Sequence, residues 1–382
     1  MNSRVLATTG TSAIAVVVAL SLPVGATPRG AFAPTARPSA AATTPAKRME
    51  PAEFDVLRPS GRPVKLTFAP RDLSVRYTFG GKTYTLDDFL TRSAADGFLV
   101  LDAEDGQRIV DERYPSGNRG TRFQSWSMAK SFTSAAVGIA LQEGRIRSID
   151  DAVTAYLPEL KGSGYDGVSI GDLLRMSSGI RWNERTDVPK VQLAAHRGRS
   201  LRTIAGRLES EREPGTAFDY NSMNSFVLAW LVTEATGTPY PKYVERKLWR
   251  PAGMADTARV GSDSRDALGY CCYYATERDY ARFGLLYLRG GKAGGRQVVP
   301  ASWVKRSTTP SSTNPRYGLH WWLGDGDAGD FMAAGMGGQY IYVSPEHQVV
   351  IVKSSVTAST LDRNEVLTAF RAIAAEVART RG

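Results

Sequence analysis

The sequence predicts a mixed α/β (α+β) fold: an antiparallel sheet flanked by helices, built from both chain ends, with a mainly helical lobe inserted at about residues 145–290. Three observations predict it. Short β-prone runs lie near both ends: Phe98-Leu99-Val100-Leu101 and Arg108-Ile109-Val110-Asp111 flank the turn Glu104-Asp105-Gly106, and Gln339-Tyr340-Ile341-Tyr342-Val343 and Val349-Val350-Ile351-Val352 follow late in the chain. Between those ends the signals are helical. At the first changeover, Ser127 to Leu141 carries Met, Phe, Val, Ile and Leu on all faces with small residues between them, the pattern of a helix packed on nearly every side.

Taken in order, Arg4 precedes the apolar run Ala13–Leu20, and Val24-Gly25-Ala26 offers small residues for cleavage. Residues 1–26 are therefore expected to be a secretory signal, with an uncleaved anchor as the alternative, and the protein to be secreted or extracytoplasmic. Residues 27–51, rich in Pro, Ala and Thr without periodicity, read as a disordered linker, leaving 52–382 as one folded domain. Thr85-Leu86-Asp87-Asp88 opens a helix with acids in its first turn. The hairpin and the buried helix follow, and Gly144 supplies the left-handed stop. In the lobe, Asp151–Pro158 is one short element, Ser169 begins another, Ser222–Gly237 is an apolar helix, and Thr276-Glu277-Arg278-Asp279 resembles a capping box. Then come a strand at His320–Leu323, the two strands named above, and a last helix with Val366, Phe370, Ile373 and Val377 on one stripe.

At 382 residues, 42% hydrophobic and 23% charged, the chain has ample material for a large core. Its net charge of +10 comes mostly from scattered arginine. The densest cluster, Arg197, Arg199, Arg202, Arg207 and Arg212, alternates with Leu201, Ile204, Ala205 and Leu208 and reads as the solvated face of a surface helix. No aromatic interleaving accompanies it, which argues against nucleic acid. Adjacent Cys271 and Cys272 read as two small buried thiols in preference to a vicinal disulfide. His196, His320 and His347 are too far apart in sequence to suggest zinc, and neither metal nor cofactor is expected.

Ser127 and Lys130 carry the chemistry. One turn apart, they project from the same helix face, and burial lowers a lysine's pKa. A hydroxyl beside such an amine is a nucleophile next to its base. The spacing alone is not specific: Ser302-Trp303-Val304-Lys305 repeats it, and there the serine reads as the cap of an exposed helix after Pro300. No histidine lies near a candidate serine in sequence, so the base must be lysine or tyrosine. Tyr220, just before the apolar helix at Ser222, is the candidate phenol, its pKa expected to be lowered by the Lys130 cation. Gly335-Met336-Gly337-Gly338-Gln339 opens a strand where a free N–H beside that of Ser127 could hold an oxyanion.

In this order the three pieces resemble the serine β-lactamase and penicillin-binding-protein superfamily, with its S-x-x-K, Y-x-N and K-T-G elements. Asp150–Leu160, Leu173–Gly179 and Ala275–Leu286 are similar to stretches of its class C-like branch, and within it to the 6-aminohexanoate-dimer hydrolase (nylon-oligomer hydrolase) and esterase group. The likeness runs from about 85 to 380. It implies a β-lactamase/transpeptidase-like fold, Ser127 as acylated nucleophile, Lys130 as base, Tyr220 as proton shuttle, and the N–H groups of Ser127 and Gln339 as oxyanion hole. Substrate would meet Ser222, Met336, Gly337 and Gly338. Two positions depart from the pattern: Ser222 replaces an amide-holding asparagine, and Met336-Gly337-Gly338 replaces Lys-Thr-Gly. Losing a charge-assisted carboxylate contact costs roughly 2–3 kcal/mol. The expectation is an exported esterase or small-amide hydrolase acting on a small molecule. The alternatives are a D-Ala-D-Ala peptidase or β-lactamase and a non-catalytic penicillin-binding-like protein; oligomeric state is left open. Trp182, Glu184 and Trp322 are possible cleft walls, with core packing or a surface salt bridge as the plainer roles.

Overall fold

Strands from early and late in the chain meet in one seven-stranded sheet, as the β-prone runs predict. The computed structural model describes residues 51–381 apart from Ala52, Asp105 and Thr360, so the expected signal and nearly all of the linker lie outside the described residues. The strands are β1 (Thr67–Phe68), β2 (Gly97–Asp102), β3 (Arg108–Arg113), β4 (Trp322–Leu323), β5 (Phe331–Gly335), β6 (Gln339–Ser344) and β7 (Val349–Ser354), in spatial order β4-β5-β6-β7-β2-β3-β1. The seam between the two ends is the antiparallel pair β7–β2, with Ile351 opposite Val100. Only β1, paired to β3, runs parallel to its neighbour.

Five longer helices matter for the site: α1 (Ala129–Gln142), α2 (Glu184–His196), α3 (Ser222–Thr236), α4 (Glu277–Leu288) and α5 (Arg363–Arg379). Because side chains alternate across a strand, the sheet divides two cores. Leu99, Leu101, Val350 and Val352 share one with α1, α3 and α4; Phe98, Val100 and Ile351 share the other with Val366, Phe370, Ile373 and Val377 of α5. The backbone of α4 comes so close to the sheet that a Cβ on Gly284 would lie 2.5 Å from Val350.

Several expectations need correction. The inserted lobe also contains strands Ala258–Ser262 and Tyr273–Ala275, which join Glu53–Leu57 and Phe123–Gln124 in a second, four-stranded sheet. The stretch Phe331–Gly335, rich in Ala and Gly, carries a weak β signal yet forms a strand, because β6 offers it a long partner. Of His320–Leu323, only Trp322–Leu323 pairs. The arginine cluster is no long surface helix: the helix there spans only Leu201–Ala205, and Arg202 turns inward over Trp230 and binds Asp266 at 2.6 Å. Ser302 caps nothing; the helix Ala301–Ser307 starts at Pro300, leaving Ser302 exposed within it. At the N-terminus of α4, Thr276 accepts from the Asp279 N–H as a capping box requires, but the Asp279 carboxylate binds the N–H groups of Ala255 and Asp256.

Gly138, midway along α1, faces Trp303, and an added Cβ would lie 2.3 Å from its ring. Gly138→Ala should therefore lower the unfolding midpoint: overpacking costs about 1–3 kcal/mol against the ~1 kcal/mol that alanine gains in helix propensity. A urea titration checks the sign, and a raised midpoint would contradict the close packing.

Candidate active site

Ser127 sits in a 3-10 turn, Trp126–Met128, that leads directly into α1. Trp126 has φ +45°, a conformation that bulky residues rarely adopt and that surrounding contacts must hold. They are present: the Ser125 N–H donates to the Tyr273 carbonyl at 2.8 Å, and the Tyr273 N–H donates to the Ser125 hydroxyl at 3.1 Å. The turn is thereby bolted to the strand Tyr273–Ala275.

Every residue of α1 from Ala129 to Ala140 is buried, and Lys130 is 1% exposed. Its Nζ lies 2.9 Å from the Ser127 hydroxyl, 3.0 Å from the Ser222 hydroxyl and 3.2 Å from the Tyr270 carbonyl. As an ammonium it donates to all three. After losing one proton it can accept from Ser127 while still donating to the others. Burial pushes its pKa down to about 8, with the Glu184 carboxylate pulling the other way.

Glu184 is the residue that sequence reasoning undervalued. It makes no salt bridge among the described residues; it accepts from the Ser222 hydroxyl, from the Ser222 N–H at 3.0 Å and from the Trp182 indole at 2.7 Å. Ser222 thus links Lys130 to a carboxylate. The Asn183 side chain caps α2 and sets Glu184 at its first position, while the Asn221 side chain caps α3 and leaves Tyr220 and Ser222 on either side. For Asn221 the available signal was an asparagine just before an apolar run; Asn183 precedes the polar stretch Glu184-Arg185-Thr186-Asp187 and gave only the cap residue itself.

The Tyr220 hydroxyl faces Ser127, and its ring stacks on Trp322 with centroids 5.6 Å apart and passes 4.9 Å from Lys130 Nζ. Its expected acidification does not occur. Burial, reinforced by Glu184, raises its pKa well above the ordinary value, so the phenol keeps its proton. His320, distant in sequence, comes close in space: buried, it touches Ser225 and the Leu174 carbonyl, and burial together with Lys130 pushes its pKa down to about 3, so it stays neutral.

Ser127, Tyr220, Ser222, Glu184, Trp322 and Met336 are among the residues lining a cavity of about 500 Å³. Gly337, Gly338 and Gln339 are not among them. Residues 336–338 form the turn that pairs Gly335 with Gln339, and the serine turn packs against both strands, more extensively against the end of β5 than against β6. A Cβ on Gly335 would lie 2.3 Å from the Ser125 carbonyl oxygen. The Gln339 side chain is occupied elsewhere, donating to the Ser355 carbonyl and accepting its N–H. The N–H groups of Ser127 and Met336 make no backbone hydrogen bond among the described residues. Trp182 packs behind the cavity, whereas Trp322 is a wall.

The cysteine expectation is overturned as well. Cys271 and Cys272 are joined in a disulfide, with Cys272 at φ +73°, and Cys271 lines the cavity immediately after the Tyr270 carbonyl that holds Lys130.

Comparison with known proteins gives a family model described as Beta-lactamase, matching residues 85–376. The 6-aminohexanoate-dimer hydrolase of Paenarthrobacter ureafaciens is 30% identical over 71% of this chain and 74% of its own. Among solved structures, a Bacillus anthracis protein provisionally named a 6-aminohexanoate-dimer hydrolase superposes with TM-score 0.76 at 23% identity, covering 86% of this chain and 91% of that one. A D-stereospecific amidohydrolase from Streptomyces superposes with TM-score 0.56 at 21% identity, covering 72% and 95% respectively.

The disulfide has a direct check. Native protein unfolded without reductant should take up no iodoacetamide at Cys271 or Cys272, and both should alkylate after reduction. Alkylation without reductant would show free thiols.

Proposed function

The chain belongs to the Beta-lactamase family and is a hydrolase of that family, and from this footing we propose that it is an exported serine acyl hydrolase that cleaves linear esters or small amides. The observation that carries the proposal is the Lys130 amine, fully buried and 2.9 Å from the Ser127 hydroxyl. In this reading neutral Lys130 takes the Ser127 proton as Oγ attacks the substrate carbonyl. The N–H groups of Ser127 and Met336 receive the developing oxyanion, the second donor standing at Met336 in place of Gln339. Protonated Tyr220 gives its proton to the leaving alcohol or amine and regains one from Lys130. Water then attacks the acyl-Ser127 ester, the same groups returning the proton to Oγ.

Linear amides enter the proposal through the name of the Paenarthrobacter relative. Dedicated β-lactam recognition is disfavoured because the Met336-Gly337-Gly338 turn supplies neither a lysine nor a hydroxyl; Lys353 packs behind it, donating to the Gly338 carbonyl, and the cations lining the cavity are instead Arg185 and Arg363. We place the catalytic domain at 52–382, after a signal at 1–26 and a linker at 27–51.

A fluorophosphonate probe should label the wild type once per chain, fail on Ser127→Ala, and label Ser302→Ala normally. Labelling that survives Ser127→Ala would end the assignment. The pH dependence follows from Lys130. A base must be neutral, so the acylation rate should climb as pH rises through about 8 and level off above it. Because Glu184 holds that pKa up, Glu184→Gln should move the rising limb to lower pH. An unmoved or upward-moved limb would contradict the coupling.

A further inference from the structure

A second concavity, of about 440 Å³, shares no lining residue with the cavity at Ser127 and is lined by four arginines, Arg62, Arg246, Arg250 and Arg296, with Ser60 and Pro251 among the rest. No carboxylate lines it. The arginines come from three separate parts of the chain, all are exposed, and none enters an ion pair among the described residues. Several arginines elsewhere are matched, among them Arg202 with Asp266, Arg278 with Glu112 and Arg371 with Asp330; what sets this groove apart is four guanidinium groups around one hollow, unpaired among the described residues. Two acids adjacent in sequence or in contact with this helix are already occupied, Glu245 by Arg58 and Glu143 by Lys247.

The local backbone departs from an ordinary helix at this spot. Glu245–Trp249 is a π turn, closed by the Arg250 N–H donating to the Glu245 carbonyl at 3.0 Å, and such turns concentrate at functional sites. It buries Glu245, Leu248 and Trp249 while leaving Arg246 and Arg250 outside. The Ser60 hydroxyl accepts from the Arg62 N–H, which leaves its own proton free to donate outward. Four like charges around one hollow repel one another unless an anion lies between them. Guanidinium forks match phosphoryl oxygens in pairs, and several forks suit a compact ligand carrying several charges.

We propose that this groove is a binding site for a multiply charged phosphoryl ligand, separate from the hydrolytic centre. Inorganic tripolyphosphate is the probe, titrated calorimetrically into the full chain at fixed ionic strength, with citrate as the carboxylate counterpart. Tripolyphosphate should bind more tightly than citrate. Arg246→Glu/Arg250→Glu should weaken it by roughly tenfold or more, and Arg246→Gln/Arg250→Gln should weaken it in the same direction. Arg145→Glu/Arg197→Glu, the same charge change outside the groove, should leave binding close to wild type. No binding by wild type, equal loss in both glutamate pairs, or citrate binding as tightly as tripolyphosphate would each overturn the assignment. Fluorophosphonate labelling of Ser127 should be unchanged in the groove variants, so this inference and the hydrolase reading fail independently.

Discussion

An amine enclosed by protein on all sides, with a hydroxyl on either hand and a carbonyl beneath, is the constraint on which this molecule is organised. Lys130 can stay there only because Ser127, Ser222 and the Tyr270 carbonyl take its three N–H groups. The same enclosure brings its ammonium form close to the point of losing a proton. Glu184, one hydroxyl further on, keeps that loss from being complete by stabilising the charged form. The balance of burial against one relayed carboxylate sets the proton inventory of the site.

The fold holds each contact from a different side. Ser127 is fixed by the clamp between Ser125 and Tyr273; Glu184 and the pair Tyr220 and Ser222 are fixed by asparagine caps at the starts of two helices. The sheet supplies the last wall, where Gly335 lets β5 press against the serine turn at a distance no side chain would permit. The Cys271–Cys272 disulfide stiffens the segment whose carbonyl faces Lys130. Five chain segments far apart in sequence therefore meet around this site.

Much of this was legible beforehand. A lysine inside an all-apolar helix, one turn from a serine, marked the centre, and the runs around Leu99 and Ile351 announced a sheet closed from both ends. What escaped was whatever depends on through-space contact. Glu184 looks like any surface acid until α2 folds over Ser222, and His320 looks isolated until it lands on Ser225. Which N–H of the stretch 335–339 lies nearest Ser127 depends on where a three-residue turn falls, which spacing alone leaves free by a few positions. The weak β signal of Phe331–Gly335 hid the strand that leads into that turn.

The most direct measurement is the titration of Lys130 itself, followed by NMR in protein carrying lysine labelled with carbon-13 at Cε and assigned with Lys130→Arg. The account predicts a midpoint near 8, well below the 10.5 of an ordinary lysine. A Lys130 signal that titrates at or above 10.5 would contradict it, because an amine so firmly charged could not take the Ser127 proton.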